Sequence, residues 1–329
     1  MKLFFADFQS SPLLHPESIE LNIVRETILK KSLAEIVNNA QEADAIIIQE
    51  NNEYKDCRYV DSLLADRFIS TNLEKIYTVS VDDSATGVFR GLYASIPKKR
   101  FNKRFHRAVP YIRFANEYVF ANQQEEEAEY LAGWFGNIKS NPIRKQLVEK
   151  WESDPAFAVK HTQSWYNHRD EEKKAYVALV LGSKFSLCPA GWAPPSPRIF
   201  ESMALGRCPV IISDDFVKPQ GPQWDEFALF YPESCVTKID VFLRKHESQY
   251  QELGQKAKEN WDRFFAGDLL KQYYASSLIE LITSTPKADK AQEIKRWRSL
   301  STYWTNNWTI PQRVSIKINN ILKNKINGI

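Results

Sequence analysis

Short apolar runs alternate with longer amphipathic stretches from the start of the chain. "KLFFADF" (2–8) reads as a strand, a polar-apolar stretch over about 17–40 as a helix, and "DAIIIQE" (44–50) as a buried strand. "VDSLLADRFIS" (60–70) predicts a helix and "KIYTVSVDD" (75–83) a strand, with "GLYASIP" (91–97) and "YVF" (118–120) as shorter strand candidates. Strands separated by helices predict a parallel, doubly wound sheet. Ligands in such sheets sit beyond the carboxyl ends of the strands, where this half of the chain carries Asp7, Glu50, Asp82 and Asp83.

The acidic run "QQEEEAEY" (123–130) reads as a linker or a helix start, and after it the alternation begins again. "YLAGWFG" (130–136) is a strand, and "NIKSNPIRKQLVEKW" (137–151) holds a helix capped by Asn141 with Pro142 at its first position. "FAVKHTQ" (157–163), "FSLCP" (185–189) and "CPVIIS" (208–213) are strands, "DEEKKAYVALVLGSK" (170–184) is a helix, and helical spacing continues to about 283. The expected organisation is a first Rossmann-like domain over 1–125, a second over 126–285, and a basic helical tail over 286–329. The tail is expected to pack back on the first domain or on a membrane surface.

Composition adds three things to this picture. With 329 residues, 43% of them apolar, the chain can fill two cores. Its net charge of +3 is unevenly spread: the tail carries nine Lys/Arg against Asp289 and Glu293, so the tail is +7 and the remainder −4. A second basic run, "KKRFNKRFHR", covers 98–107, and such clusters attract phosphates on nucleotides, lipids or nucleic acid. The four Cys form no C-x-x-C pair and read as reduced thiols. Asp7 interrupts the first apolar run too early for a signal peptide, and no run approaches the roughly 18 apolar residues of a membrane span. The expected location is cytoplasmic, with a peripheral contact at the inner face of the membrane.

The densest chemistry lies in "APPSPRIFESMALGRCPVIISDD" (193–215). Ser196 suits an N-cap and Pro197 the first helical position, so a helix is expected to run from there to Gly206. Its free N–H groups and dipole favour an anion. Arg198 adds a forked permanent charge suited to a diphosphate, and Glu201, one turn on, can accept the two hydroxyls of a ribose. Spacing alone fits equally well a capped helix with an Arg–Glu surface pair, worth under about 1 kcal/mol. Neither G-x-G-x-x-G nor G-x-x-x-x-G-K-[ST] occurs.

The longer segment "SKFSLCPAGWAPPSPRIFESMALGRCPVIISDD" resembles the core motif of exostosin-like glycosyltransferases, glycosyltransferase family 47. The resemblance rests on Ser183, Lys184, Phe185, Leu187, Pro189, Gly191, Ser196, Arg198, Glu201, Gly206, Pro209, Val210, Ser213 and Asp214. "WDEFALFYPES" from Trp224 is similar to the W-x-x-F segment that follows in that family. Gly133, Gly136, Asn137 and Arg144 resemble its aromatic-glycine strand and Arg-bearing helix more loosely. The likeness covers about 129–235. Ala190 stands where the family often has Arg, Ser202 where it has Ala, and Arg207 where it has Cys.

The resemblance implies a GT-B fold, two Rossmann-like domains facing across a cleft. It also implies inverting sugar transfer from a nucleotide diphosphate, UDP by family likeness, to a glycan or polysaccharide. No D-x-D triplet occurs, so no metal or other cofactor is expected. Leaving-group charge then falls to Arg198, Arg144 and Lys184, with Ser196, Pro197, Gly191, Asn137 and Gly136 completing the donor-binding set. A base for the acceptor hydroxyl is expected on the first domain: Asp7, Glu50, Asp82 or Asp83, with His106 and His161 as weaker candidates. The rival readings are a fucosyltransferase using GDP-fucose, which "FFADF" faintly resembles, and a non-catalytic nucleotide- or nucleic-acid-binding protein. The expected partners are a nucleotide-sugar donor and a glycan acceptor, without nucleic acid. The sugar, base, acceptor and linkage are left open by the sequence.

Overall fold

A computed structural model describes residues 1–51, 58–121, 127–162, 169–286, 288–300, 302 and 318. The first sheet contains β1 (Lys2–Phe5), β2 (Glu35–Ile36), β3 (Ala45–Ile48), β4 (Ile76–Ser80), β5 (Arg90–Tyr93) and β6 (His106–Ala108). All pairings are parallel, in the order β2-β1-β3-β4-β5-β6. The second sheet contains β7 (Tyr130–Asn137), β8 (Phe157–Thr162), β9 (Ser183–Pro189), β10 (Cys208–Ile212) and β11 (Leu229–Phe230). It too is parallel, in the order β11-β10-β9-β7-β8. Every residue of β3, β4 and β10 is buried, because helices cover both faces of a parallel sheet. In both sheets the first strand lies between the second and the third, so each has its switch point beside its first strand, between β1 and β3 and between β7 and β9.

The apolar pattern is redistributed in several places. The long stretch from 17 to 40 splits into α1 (Ile19–Lys30), capped by the Ser18 hydroxyl on Leu21 N at 2.9 Å, and edge strand β2. Ser32, at φ 51°, turns the chain between them. "VDSLLADRFIS" forms two helices, α2 (Tyr59–Ala65) and α3 (Arg67–Asn72), because Asp66 ends the first and caps the second through Ile69 N at 2.8 Å. "YVF" lies in a 3₁₀ turn, Glu117–Phe120, and the strand pairing with β5 is His106–Ala108 instead.

In the second domain α4 (Pro142–Trp151) follows β7, α5 (Asp170–Leu181) follows β8 and α6 (Pro197–Ala204) follows β9. Helices α7 (Ile239–His246) and α8 (Tyr250–Phe264) come after β11. The next helix, α9 (Asp268–Ser284), does not stay with this domain as a boundary at 285 would have it. It packs on α1, β5 and β6, and its Tyr274 hydroxyl donates to the Pro110 carbonyl. The crossing between domains therefore falls near Gly267, whose φ of 54° turns the chain into α9.

Helix α10 (Lys290–Trp297) also lies on the first domain. Trp297 is 1% exposed and meets Phe89 edge-on at 5.0 Å. Glu293 accepts from Arg90 at 2.7 Å and from Arg296 at 2.7 Å, so one buried carboxylate holds two guanidiniums. Trp297→Ala is expected to lower stability by about 3–5 kcal/mol, read as a fall in denaturation midpoint. Most of the tail after Leu300 and half of the acidic run 123–130 lie outside the described residues. Among the described residues no helix is long and apolar enough to cross a membrane.

Candidate active site

The carboxyl ends of β7 and β9 open onto a cavity of about 490 Å³ between the two domains. Asn137, Ser140, Arg144, Gly191, Trp192 and Ser196–Arg198 line it from the second domain, and Val81–Ser84 and Tyr111 from the first. A larger concavity of about 1670 Å³, lined by Phe120, Trp261 and Lys258 among others, holds none of the expected site residues.

Strand ends leave carbonyls without ladder partners, and here an arginine takes them. Arg144, third residue of α4 and 6% exposed, donates through Nε to Ala190 O at 2.9 Å. Its other nitrogens donate to Pro189 O at 3.2 Å and Asn137 O at 3.3 Å. α4 begins as expected, with the Asn141 side chain accepting from Ile143 N and Pro142 at the first position. Arg198, second residue of α6, donates through Nε to Phe135 O at 2.8 Å. Its guanidinium faces the Trp134 and Tyr176 rings at 6.0 and 5.9 Å.

Two glycines make room for the two guanidiniums. A Cβ on Gly136 would stand 2.4 Å from Arg198 Nη2, and one on Gly191 would stand 2.8 Å from Arg144 Nη2. Asn137 is buried, and its Oδ1 accepts from Lys139 N at 2.7 Å, which holds the turn leaving β7.

The charge arrangement runs against ordinary helix electrostatics. First turns favour acids, yet α4 and α6 have none there and each carries an arginine instead. Neither guanidinium has a carboxylate within 4.0 Å among the described residues, their protein acceptors being carbonyls and one hydroxyl. Burial, and then the neighbouring Arg198 charge, lowers the Arg144 pKa to about 9, which still leaves it protonated at neutral pH. Two guanidiniums at two helix N-termini therefore concentrate positive charge on this wall of the cavity, offset in part by Asp83 across it.

Ser196 has the extended backbone of an N-cap and Pro197 occupies the first helical position. The Ser196 hydroxyl does not cap, contrary to expectation; it accepts from Arg198 Nη1 at 3.4 Å. Glu201 does not line the cavity. It is 8% exposed and accepts from the Tyr176 hydroxyl at 2.7 Å, and burial with this carboxylate raises the Tyr176 pKa, so the phenol stays a donor. Tyr176 thus contacts Glu201 through its hydroxyl and Arg198 through its ring. Lys184 lies at the other end of β9, where it pairs with Glu247 at 2.6 Å, and its charge does not reach the cavity. Strand direction explains this, since Lys184 lies at the start of the strand that Pro189 ends.

Of the carboxylates at strand ends in the first domain, Asp82 and Asp83 line the cavity. Glu50 is 1% exposed and accepts from Tyr59 at 2.7 Å and Thr86 at 2.9 Å, which makes it an internal anchor for the loop after β4. Asp7 is exposed and accepts from Gln9 N at 2.9 Å in the turn after β1. Asp83 accepts from the Tyr111 hydroxyl at 2.8 Å. Partial loss of water in the cleft raises its pKa, the Tyr111 donor opposes the rise, Asp82 adds to it and Arg144 offsets it. His106 is a core residue, stacked edge-on with Tyr93 at 5.2 Å, with its pKa lowered by burial to about 3. His161 contacts Glu152 at 3.2 Å.

Sequence reasoning missed Tyr111, Trp134 and Tyr176. Tyr111 follows the carboxyl end of β6, so the strand-end rule would have reached it had His106–Ala108 been read as a strand. Among the described residues no group of three or more His, Cys, Asp or Glu is placed to hold a metal ion.

Residues 69–246, more than half the chain, match the Exostosin GT47 domain. A rice protein (Oryza sativa subsp. japonica) named probable glucuronosyltransferase GUT1 is 33% identical over 126 residues, 35% of this chain and 28% of that protein. An Arabidopsis thaliana protein named probable beta-1,4-xylosyltransferase IRX10 is 31% identical over 124 residues, 35% of this chain and 28% of that one. The matched stretch is thus little more than a quarter of either relative. Among solved structures, the DNA-modifying enzyme beta-glucosyltransferase aligns at TM-score 0.40 and 11% identity, covering 86% of this chain and 100% of that one. TarM aligns at TM-score 0.37 and 9% identity, covering 78% of this chain and 46% of that one. Those likenesses are too low to argue from; strand order and the cleft themselves define two Rossmann-like domains in the GT-B arrangement. With the family match over residues 69–246 added to that arrangement, the chain belongs to the exostosin GT47 family.

Proposed function

We propose that this chain is an inverting, metal-independent glycosyltransferase that takes a sugar from a nucleoside diphosphate, UDP by preference, and delivers it to a hydroxyl of a glycan or polysaccharide. The observation that carries this reading is the pair of arginines, Arg144 and Arg198, lacking carboxylate partners in the first turns of two helices beside one interdomain cavity. A diphosphate would give both guanidiniums the direct anionic partner that Asp83, acting only across the cavity, does not. The reading is further supported by relatives named as glucuronosyl- and xylosyltransferases.

In the proposed step the acceptor hydroxyl gives its proton to the Asp83 carboxylate as its oxygen bonds to the anomeric carbon. The bond from that carbon to the diphosphate oxygen breaks on the opposite face, and the leaving group departs with the electron pair. Arg198 and Arg144 take up the charge that develops there, which is electrostatic stabilisation by groups already in place. Asp83 faces this site from the other domain, and its raised pKa makes it a stronger proton acceptor than an ordinary carboxylate. Tyr176 occupies Glu201 Oε2, so a ribose role for Glu201 rests on acceptor capacity the carboxylate keeps beside that bond.

The proposal is tested by screening UDP- and GDP-sugars for transfer or slow hydrolysis in the presence of EDTA. Turnover with a nucleotide sugar and no loss on chelation is the expected outcome. Activity that returns only on adding a divalent cation contradicts the metal-independent mechanism.

A further inference from the structure

Two basic runs that are separate in sequence meet on one face of the first domain, and their common point is Phe105. The Arg104 guanidinium lies 5.5 Å from the Phe105 ring centre, and that of Arg296, on α10, lies 4.9 Å from it. Lys103 and Arg104 beside this contact, and Lys290, Lys295 and Arg298 along α10, are exposed, and no carboxylate lies within 4.0 Å of any of these five side chains among the described residues. The neighbouring cations are accounted for otherwise. Lys99 pairs with Asp215 at 3.4 Å, Arg107 with Glu280 at 3.6 Å, and Arg90 and Arg296 with Glu293. Helix α10 is fixed by Trp297 and Glu293 on its buried side, so Lys295 and Arg298 are held outward by the fold. Leu300, 75% exposed, follows directly.

We propose that this face, Lys103–Arg104 with Lys290, Lys295 and Arg298, docks the protein on an anionic lipid surface. Each basic side chain near such a surface adds a small attraction, and several held on one rigid face add together. An exposed leucine beside the cations gives the apolar insertion that interfacial contacts use. Nucleic acid fits less well, because the aromatic ring at the centre of the face is covered by guanidiniums and offers no platform for a base. The proposal does not depend on the sugar-transfer reading, since none of these residues lines the cavity.

The test is flotation of the full chain with vesicles of phosphatidylcholine alone or mixed with phosphatidylglycerol. Wild type is expected to bind the mixed vesicles only, and to be released by high salt. The variant K103E/R104E/K295E/R298E is expected to lose roughly 100- to 1,000-fold in partitioning. The milder K103S/K295S, which leaves the Arg104–Phe105 contact intact, is expected to lose roughly 30-fold and guards against a folding artefact. Equal partitioning of wild type and both variants overturns the proposal, as does equal binding to neutral vesicles. Binding of wild type to a single-stranded oligonucleotide but to neither kind of vesicle overturns it in favour of nucleic acid.

Discussion

Arg198→Ala is expected to lower kcat/KM for the nucleotide-sugar donor by roughly 100- to 1,000-fold, the usual loss when one preplaced group facing a developing charge is removed. Arg198 is the better of the two arginines to test. Arg144 holds three strand-end carbonyls, so its removal would strand buried acceptors and confuse folding with chemistry. Arg198 holds one carbonyl and is half-buried, so its variant is expected to melt near the wild-type temperature. Gln at position 201 keeps an acceptor for Tyr176, so Glu201→Gln is expected to cost less than Arg198→Ala. Steady-state kinetics of the two variants, with melting curves alongside, check this order.

Asp83→Asn is expected to lower kcat by roughly 100- to 10,000-fold while donor affinity is retained, since the amide cannot accept the hydroxyl proton. The pH dependence carries a sign. A base works only when ionised, so activity falls as pH drops through the Asp83 pKa, which lies above the ordinary carboxylate value of 3.8. Tyr111 donates to the ionised form and holds that pKa down. Tyr111→Phe therefore moves the acid limb of the pH–rate profile to higher pH. An acid limb that stays in place in Tyr111→Phe, or full kcat in Asp83→Asn, removes Asp83 from the mechanism and points to Asp82, which lines the same wall.

Much of the architecture was legible because both sheets are parallel and buried on both faces. β3 and β10 are apolar runs that read as strands without any partner being known. β2, β6 and β11 have two or three residues each, too few to show a period. The domain crossing was not legible either, since the apolar face of α9 does not say which sheet it covers; Tyr274 on Pro110 O decides that in space.

The candidate site was half legible. Arg198 and Arg144 were marked by helix starts and by likeness to a family motif, but their contacts with carbonyls rather than carboxylates are a fact of three dimensions. Arg198 and Glu201 share a helix face in the sequence, yet the first is pulled to Phe135 O and the second to Tyr176. Strand ends offered four carboxylates with nothing to rank them. Tyr59 and Thr86 occupy Glu50, a turn occupies Asp7, and the loop after β4 brings Asp82 and Asp83 to the cavity.

Calorimetric titration of UDP, with UMP as the control, into wild type and Arg198→Ala tests the anion site most directly. The account predicts that UDP binds wild type more tightly than UMP does, and that this advantage falls by roughly tenfold or more in the variant. Equal affinity for UDP and UMP in wild type, or an unchanged UDP affinity in Arg198→Ala, would contradict it.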